Sequence, residues 1–148
     1  MTEQKMWAAF TAACPEYKNA VYEAWCYGSD APDKLAALTL EGTKTATASA
    51  FPFYEAENCP LPQPGDLSLI LSSSGSAVCI IKTTHVETVP FCQVTERQAF
   101  LEGEGDRSLD YWRRVHEECF TEELKEIDAK FSGDMLVVCE EFEKIFPQ

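Results

Sequence analysis

Long apolar runs and a positively charged leader are both absent from this chain. No stretch approaches the roughly 20 consecutive apolar residues that a membrane-spanning helix needs. Residues 1–5 lack the basic and apolar regions that mark a secretory signal. We therefore expect a cytoplasmic protein that has no contact with a membrane.

Basic residues are scarce, since 12 Lys and Arg stand against 25 Asp and Glu and the formal net charge is −13. Affinity for a nucleic-acid backbone comes mainly from Lys and Arg side chains that neutralise phosphates. This balance argues against a broad nucleic-acid-binding face, so we expect any contact with RNA to be made in a local pocket. The acidic composition favours a small neutral ligand over a long polynucleotide.

Metal-binding patterns are missing as well. The seven cysteines are scattered without a CxxC pair, and the only histidines are His85 and His116. Zinc sites are usually recognised in a sequence by closely spaced Cys and His ligands. Because Cys79 and Cys139 lie in apolar runs, we expect reduced and mostly buried thiols. We expect neither a metal nor another cofactor.

The composition is that of a globular protein, with 45% hydrophobic and 11% aromatic residues among 148. This length predicts one domain with its own core. Apolar residues at three- and four-residue spacing predict three N-terminal helices. Their bounds are Met6–Ala13, Pro15–Trp25 and Ala31–Glu41, and Gly42 ends the third helix.

Strand patterns dominate after Gly42. Small residues alternate over 45–50, an irregular loop follows over 51–63, and a hairpin is predicted from residues 67–71 and 77–84. Thr95 and Ser108 are expected to cap two helices, at 95–102 and from 109 onward. A last strand is predicted over Met135–Phe146. This order indicates an α+β domain around a mostly antiparallel sheet or small barrel.

One segment carries distinctive chemistry. Lys44 follows the helix stop at Gly42 and stands beside the hydroxyl groups of Thr43, Thr45 and Thr47. An amine in such small, polar surroundings suits either a base or an anion-binding group. The alternative is a solvated lysine that follows a helix cap.

At this point the chain resembles a known family. Leu40–Thr47 is similar to the signature of the ASCH family, in which a helix ends in Gly-x-Lys-x-x-Thr or a close variant. Pro64–Asp66 before a strand and the segment Gly103–Arg113 resemble the longer bacterial members. The resemblance covers the chain from about Ala24 to Phe146.

The resemblance implies a PUA-like fold, a small mixed or antiparallel β-barrel with surrounding helices. It implies a single domain over residues 1–148, with the N-terminal helices at about 3–41 packed on the barrel. It also implies an RNA or nucleoside ligand, because the family is generally described as RNA-binding or coactivator-associated. Some small bacterial members hydrolyse acetylated cytidine through a Lys, Thr and Glu trio, and another bacterial member is a reported ribonuclease.

Carried over by position, the trio of the hydrolases falls on Lys44, Thr47 and Glu102, and Glu104 competes with Glu102 for the acidic role. A basic residue often stands two positions after the threonine in the family, where this chain has Ser49. The loss of that group argues against a charged substrate. The candidate ligand contacts around the trio are Thr45, Ser49, Glu104, Asp106, Ser108, Trp112 and Arg113.

Several of these residues also have a purely structural interpretation. Thr47 is a common strand former, Trp112 suits a core position, and His116 suits a packed position one helical turn later. Arg113 is at helical spacing for an ion pair with a glutamate. In an ideal strand Lys44 and Thr47 point to opposite faces, so the trio requires a bend near Lys44.

Three functions remain open from the sequence. The first is an amidohydrolase that acts on acylated nucleosides, with Lys44 as base, Thr47 as nucleophile and Glu102 orienting or deprotonating the water. The second is a non-catalytic RNA-binding module in which Lys44 contacts a phosphate. The third is a ribonuclease in which Lys44 stabilises the phosphorane and Ser108 assists.

Overall fold

The elements of this fold alternate between short helices and strands along the chain. A computed structural model describes residues 1–148. The strands are β1 (Glu23–Cys26), β2 (Ala46–Ala50), β3 (Leu67–Leu71), β4 (Ala77–Pro90) and β5 (Leu136–Phe146). The α-helices are α1 (Glu3–Ala13), α2 (Pro32–Glu41), α3 (Phe51–Ala56), α4 (Glu96–Glu102) and α5 (Leu109–Leu124). Short 3₁₀ turns occupy Pro15–Tyr17, Phe91–Gln93 and Lys125–Ile127.

All five strands form one sheet in the order β1-β3-β4-β5-β2. Strand β1 runs parallel to β3, and the other neighbours are antiparallel. The α+β class and the mostly antiparallel sheet are confirmed. The sheet curls into a half-barrel. It is not a closed barrel, because β1 and β2 remain as separate edges.

Two sequence-based expectations are wrong between residues 15 and 63. The predicted helix Pro15–Trp25 is instead a 3₁₀ turn followed by β1. Pairing of Glu23 with Ser68 and its neighbours decides this, since a long-range partner overrides local helical spacing. The predicted loop 51–63 contains α3, whose first turn accommodates Pro52.

Three hydrophobic clusters attach the helices to the sheet. The largest cluster holds α4 and α5 against β2 and β5 through buried residues that include Phe91, Trp112, Phe120, Leu124 and Val137. A second cluster packs α2 through Leu35 and Ala36, and a third packs α1 through Met6 and Phe10. No helix combines the length and apolar character needed to cross a membrane.

Residues 42–45 are fixed between two helices. The backbone N–H groups of Thr43 and Lys44 both donate to the carbonyl of Leu38 in α2, and Thr45 N–H donates to Leu101 in α4. These bonds bend the chain immediately before β2 begins at Ala46. The bend is the feature that Lys44 and Thr47 require in order to share a cleft.

Helix caps define the other side of the site. The hydroxyl of Thr95 accepts from Gln98 N–H and that of Ser108 accepts from Tyr111 N–H, which confirms both predicted caps. Helix α4 ends at Gly103 with φ +74°, and a Cβ at this position would lie 2.8 Å from the carbonyl oxygen of Thr43. Only glycine permits the backbone after α4 to pass so close to the lysine segment.

Candidate active site

A cleft of about 930 Å³ lies where the half-barrel stays open. Both edge strands contribute to its walls, with Trp25 from β1 and Thr47 from β2, and β5 contributes Glu140. Its size and partly aromatic lining suit a small organic ligand. The aromatic lining residues are Tyr17, Tyr22, Trp25, Tyr27, Tyr54 and Phe120.

Lys44 is buried at one end of this cleft, with 1% of its surface exposed. Its Nζ lies 3.5 Å from Glu102 Oε1 and 3.3 Å from Glu104 Oε2. It also donates to the backbone carbonyl of Glu102 and lies 5.4 Å from the ring centroid of Tyr27. Lys44 is therefore not a solvated lysine, and two carboxylates form ion pairs with its Nζ.

Glu102 is the fixed carboxylate of the cluster and is likewise 1% exposed. Its Oε2 accepts hydrogen bonds from Trp112 Nε1 and Gln98 Nε2, while Oε1 faces Lys44 and His116. Burial alone would raise the pKa of Glu102, but Lys44, His116 and the hydrogen bonds outweigh it and lower the pKa to about 2. Glu102 is therefore ionised, and both of its oxygens are occupied.

His116 completes the cluster from α5. Its ring stacks on Trp112 at a centroid distance of 4.1 Å. Nδ1 lies 2.8 Å from the carbonyl oxygen of Trp112, and Nε2 lies 3.5 Å from Glu102 Oε1. Burial opposes the charge, but Glu102 raises the pKa of His116 above its ordinary value. Because both nitrogens face acceptors, the ring suits the doubly protonated form.

The charges of this cluster cancel in pairs. When His116 is doubly protonated, Lys44 and His116 supply two positive charges beside the two carboxylates of Glu102 and Glu104. The atoms of Glu102, Glu104 and His116 that could hold a cation lie within 4.8 Å of one another. The ammonium of Lys44 already contacts both carboxylates, so the cluster does not need a metal ion for neutrality.

Thr47 lies on the cleft side of β2. It shares that face with Ser49, whereas Ala46 and Ala50 are buried on the opposite face. The carbonyl of Thr47 accepts from Gln98 Nε2 at 3.1 Å, but no hydrogen bond joins its hydroxyl to Lys44 or Glu102. Thus Lys44 and Glu102 are in contact, and Thr47 lines the same cleft without a side-chain hydrogen bond to either of them.

The predicted ligand contacts divide into two groups. Ser49 and Glu104 line the cleft, with Ser49 hydrogen-bonded to the Tyr54 hydroxyl at 2.8 Å. The carboxylate of Glu104 is 20% exposed and is the more accessible acid of the pair that competed for this role. The residues that do not line the cleft are Thr45, Asp106, Ser108, Trp112 and Arg113.

Each residue outside the cleft has a structural task. Asp106 accepts from Ser108 N–H and Ser108 caps α5, while Trp112 packs in the core and donates to Glu102. Arg113 donates to the carbonyl of Cys92 beside a separate shallow depression. Thr45 is held through its backbone, which bonds to Leu101 and Phe142.

Sequence reasoning missed two members of the cluster. Gln98 precedes Glu102 by four residues in α4, and His116 follows Trp112 by four in α5. Polar residues one turn from a buried partner on the same helix face are the signal that identifies them. That signal becomes useful only once Glu102 and Trp112 are known to be buried.

A curled α+β half-barrel, with a polar cleft between its open edges, defines a PUA-like domain. A family model described as ASCH domain matches residues 23–146. The chain belongs to the ASCH domain family, as the motifs around Lys44 and Gly103 indicate.

Solved structures agree with this assignment. The ASCH domain from Lactobacillus crispatus JV V101 is 31% identical with a TM-score of 0.90, covering 95% of this chain and 92% of that one. Protein EF3133 from Enterococcus faecalis V583 is 33% identical with a TM-score of 0.85, covering 96% and 86% respectively. No curated protein matches the chain.

Proposed function

We propose that this protein is a small hydrolase that binds an acylated nucleoside in the cleft and cleaves its amide bond. The proposal is carried by one observation: a buried lysine, an accessible carboxylate and a threonine hydroxyl all line the same small-molecule cleft. These residues are Lys44, Glu104 and Thr47.

The geometry suggests roles for Thr47, Lys44 and Glu102. Thr47 supplies the nucleophilic hydroxyl, because it lies on the cleft face of β2. Lys44 binds the acyl oxygen through its ammonium and stabilises the negative charge that develops there. This role differs from the base suggested by the resemblance, because the Nζ of Lys44 forms ion pairs with Glu102 and Glu104. Glu102 is a positioning residue for Lys44.

The charge of the cleft supports a neutral ligand. Two lysines, Lys44 and Lys82, line it beside six carboxylates, and both contact side chains of the chain itself. A polyanion gains little from such a surface. No contact of the site favours the RNA-binding module or the ribonuclease, and Ser108, which the latter would use, is engaged in capping α5.

The test is deacetylation of acetylated cytidine, followed by chromatography. We expect wild-type protein to release cytidine, and Lys44→Ala to lower kcat/KM by about 10²–10³-fold through loss of a charge-stabilising group. Because Lys44→Ala also removes one of the four partners of the buried Glu102 carboxylate, Glu104→Gln serves as a milder variant at the same site. Lys125→Ala is the matched control, since Lys125 is exposed and pairs only with Glu122.

The outcomes separate the three functions. Turnover that survives Lys44→Ala, or no turnover by wild type, overturns the amidohydrolase proposal. Salt-sensitive binding of an RNA oligonucleotide that Lys44→Ala weakens would establish the binding module instead. Cleavage of that oligonucleotide, lost on Lys44→Ala, would establish the ribonuclease.

A further inference from the structure

Thr47 has a carboxylate directly opposite it on the neighbouring strand. In the antiparallel pairing of β2 with β5, Thr47 is the register partner of Glu140. Directly opposed residues of an antiparallel pair project to the same face, with Cβ atoms about 4.5–5.5 Å apart. Both side chains line the cleft. Sheet geometry therefore places Glu140 beside Thr47 on the face that lines the cleft.

One oxygen of Glu140 is free for chemistry. The hydroxyl of Thr83 lies 3.4 Å from Oε2, and Oε1 accepts no hydrogen bond within the chain. The contrast with Glu102 is clear, because both oxygens of Glu102 are engaged by Trp112, Gln98, Lys44 and His116. A free oxygen that lines the cleft can accept a proton from a neighbouring hydroxyl.

The surroundings of Glu140 also favour proton transfer near neutrality. The pKa of Glu140 is raised to about 7, mainly because the carboxyl group is buried. The hydrogen bond from Thr83 lowers this pKa, and the negative charges of Asp66 and Glu23 raise it further. The other ionisable groups that face this part of the cleft are Lys82 on β4 and Tyr54 on α3. A general base works best when its pKa lies near the working pH, which Glu102 does not satisfy.

We propose that Glu140 is the general base of this site and takes the hydroxyl proton of Thr47 as Thr47 Oγ1 attacks the acyl carbon. This proposal rests on the hydrolase function proposed above. As the Oγ1–C bond forms, the carbonyl π electrons move onto oxygen, where the ammonium of Lys44 stabilises them. The protonated Glu140 then gives its proton to the amine nitrogen as the C–N bond breaks.

The second half of the reaction reverses these roles. Glu140 takes a proton from water, whose oxygen bonds to the acyl carbon of the Thr47 ester. When the intermediate collapses, Thr47 Oγ1 leaves and recovers that proton from Glu140. The products are a carboxylic acid and a free amine, and one water is consumed. No oxidant, reductant or metal is required.

An ester probe tests the proposal without reliance on the natural substrate. Wild-type protein is mixed with p-nitrophenyl acetate, quenched with acid and digested with trypsin, and the peptide 45–82 is analysed by mass spectrometry. We expect an acetyl group on Thr47, formed at a rate that rises with pH to a plateau above about 7, the point at which the base ionises. Thr47→Val removes the acceptor and should abolish that label.

Glu140→Gln keeps the size of the side chain and an acceptor for the Thr83 hydroxyl. We expect acetylation of Thr47 to slow by about 10²–10⁴-fold and to lose its pH midpoint. The matched control is Glu141→Gln, because the carboxylate of Glu141 pairs with Arg97 and does not line the cleft. It should leave the rate unchanged.

The results distinguish the two proposals. If wild type neither carries an acetyl group on Thr47 nor releases p-nitrophenol faster than Thr47→Val, or if the rate and midpoint are unchanged in Glu140→Gln, the role of Glu140 is overturned. If Thr47 is acetylated through Glu140 while acetylated cytidine is inert, the proposed substrate fails and the role of Glu140 stands. If Glu140→Gln deacetylates acetylated cytidine at the wild-type rate, the proposed hydrolase function stands and Glu140 is not its general base.

Discussion

At the scale of single residues, the site depends on how one buried carboxylate is satisfied. Glu102 has four partners, which come from α4, from α5 and from the loop before β2. When one partner of a buried ion pair is removed, the remaining charge stays buried without compensation, and the folded state loses stability. The residues around Glu102 therefore contribute to stability and to the position of Lys44 at once.

His116 gives a testable pH dependence of stability. Folding raises the pKa of His116. The charged ring therefore stabilises the folded state fully at pH values below its pKa in the unfolded chain. This contribution is lost as the pH rises through its pKa in the folded protein. We expect His116→Gln to lower the free energy of unfolding by about 1–3 kcal/mol near pH 6 and by less near pH 9. Urea unfolding at both pH values measures the difference.

The control for this experiment is the other histidine. The side chain of His85 is 60% exposed, so His85→Gln should change the free energy of unfolding little at either pH. An equal loss of stability in His116→Gln at both pH values would mean that the ring contributes by packing on Trp112 and not by its charge.

Residue chemistry was the least predictable part of the site. The motif pointed to Lys44 and Glu102, but their contact depends on the folded chain and not on spacing. In the same way, the alternation of β5 did not reveal which of Glu140 and Glu141 faces the cleft. The register of β5 with β2 decides that, and register is a long-range property.

At the scale of elements, the close approach between the end of α4 and the lysine segment holds the site together. Gly103 has both a positive φ and a backbone oxygen within 2.8 Å of where its Cβ would be. A side chain at this position would have to push the backbone after α4 away from the backbone of Thr43 and Lys44.

We therefore expect Gly103→Ala to destabilise the protein by about 2–4 kcal/mol, combining the left-handed conformation with the steric clash. Thermal or urea unfolding measures this loss. Gly133→Ala is the matched control, because nothing lies within 4 Å of its Cβ position and its φ is not positive. Equal stability of the two variants would show that the loop after α4 shifts freely.

Elements with local signals were the most predictable. The caps at Thr95 and Ser108 and the hairpin of β3 with β4 follow from neighbouring residues alone. The apolar spacing of β1 fits both a helix and a strand. Only the pairing with its parallel partner β3 decides between them. The same limit applies to closure of the barrel, which depends on whether two distant strands meet.

At the scale of the whole molecule, the net charge of −13 and the acidic cleft select against anionic ligands. We expect acetylated cytidine to bind about 10-fold more tightly than its monophosphate at low salt, because like charges in a partly desolvated cleft repel. The difference should shrink at high salt, where the repulsion is screened. Isothermal titration calorimetry with the Thr47→Val protein measures both affinities without turnover.

Tighter binding of the monophosphate would contradict this expectation and would indicate a phosphate site that includes Lys82. Equal affinity at all salt concentrations would place the phosphate outside the cleft, in solvent.

The unpaired edges of the half-barrel have a consequence for recognition. Because β1 and β2 do not meet, the cleft is bounded by strand edges, whose outward N–H and C=O groups are not all used by the sheet. A nucleobase carries donors and acceptors in its plane and can be read by such main-chain groups. Main-chain recognition is indifferent to the identity of the side chains. We therefore expect inactive variants at Lys44 or Thr47 to bind the nucleobase still. Such variants are suited to capturing the ligand.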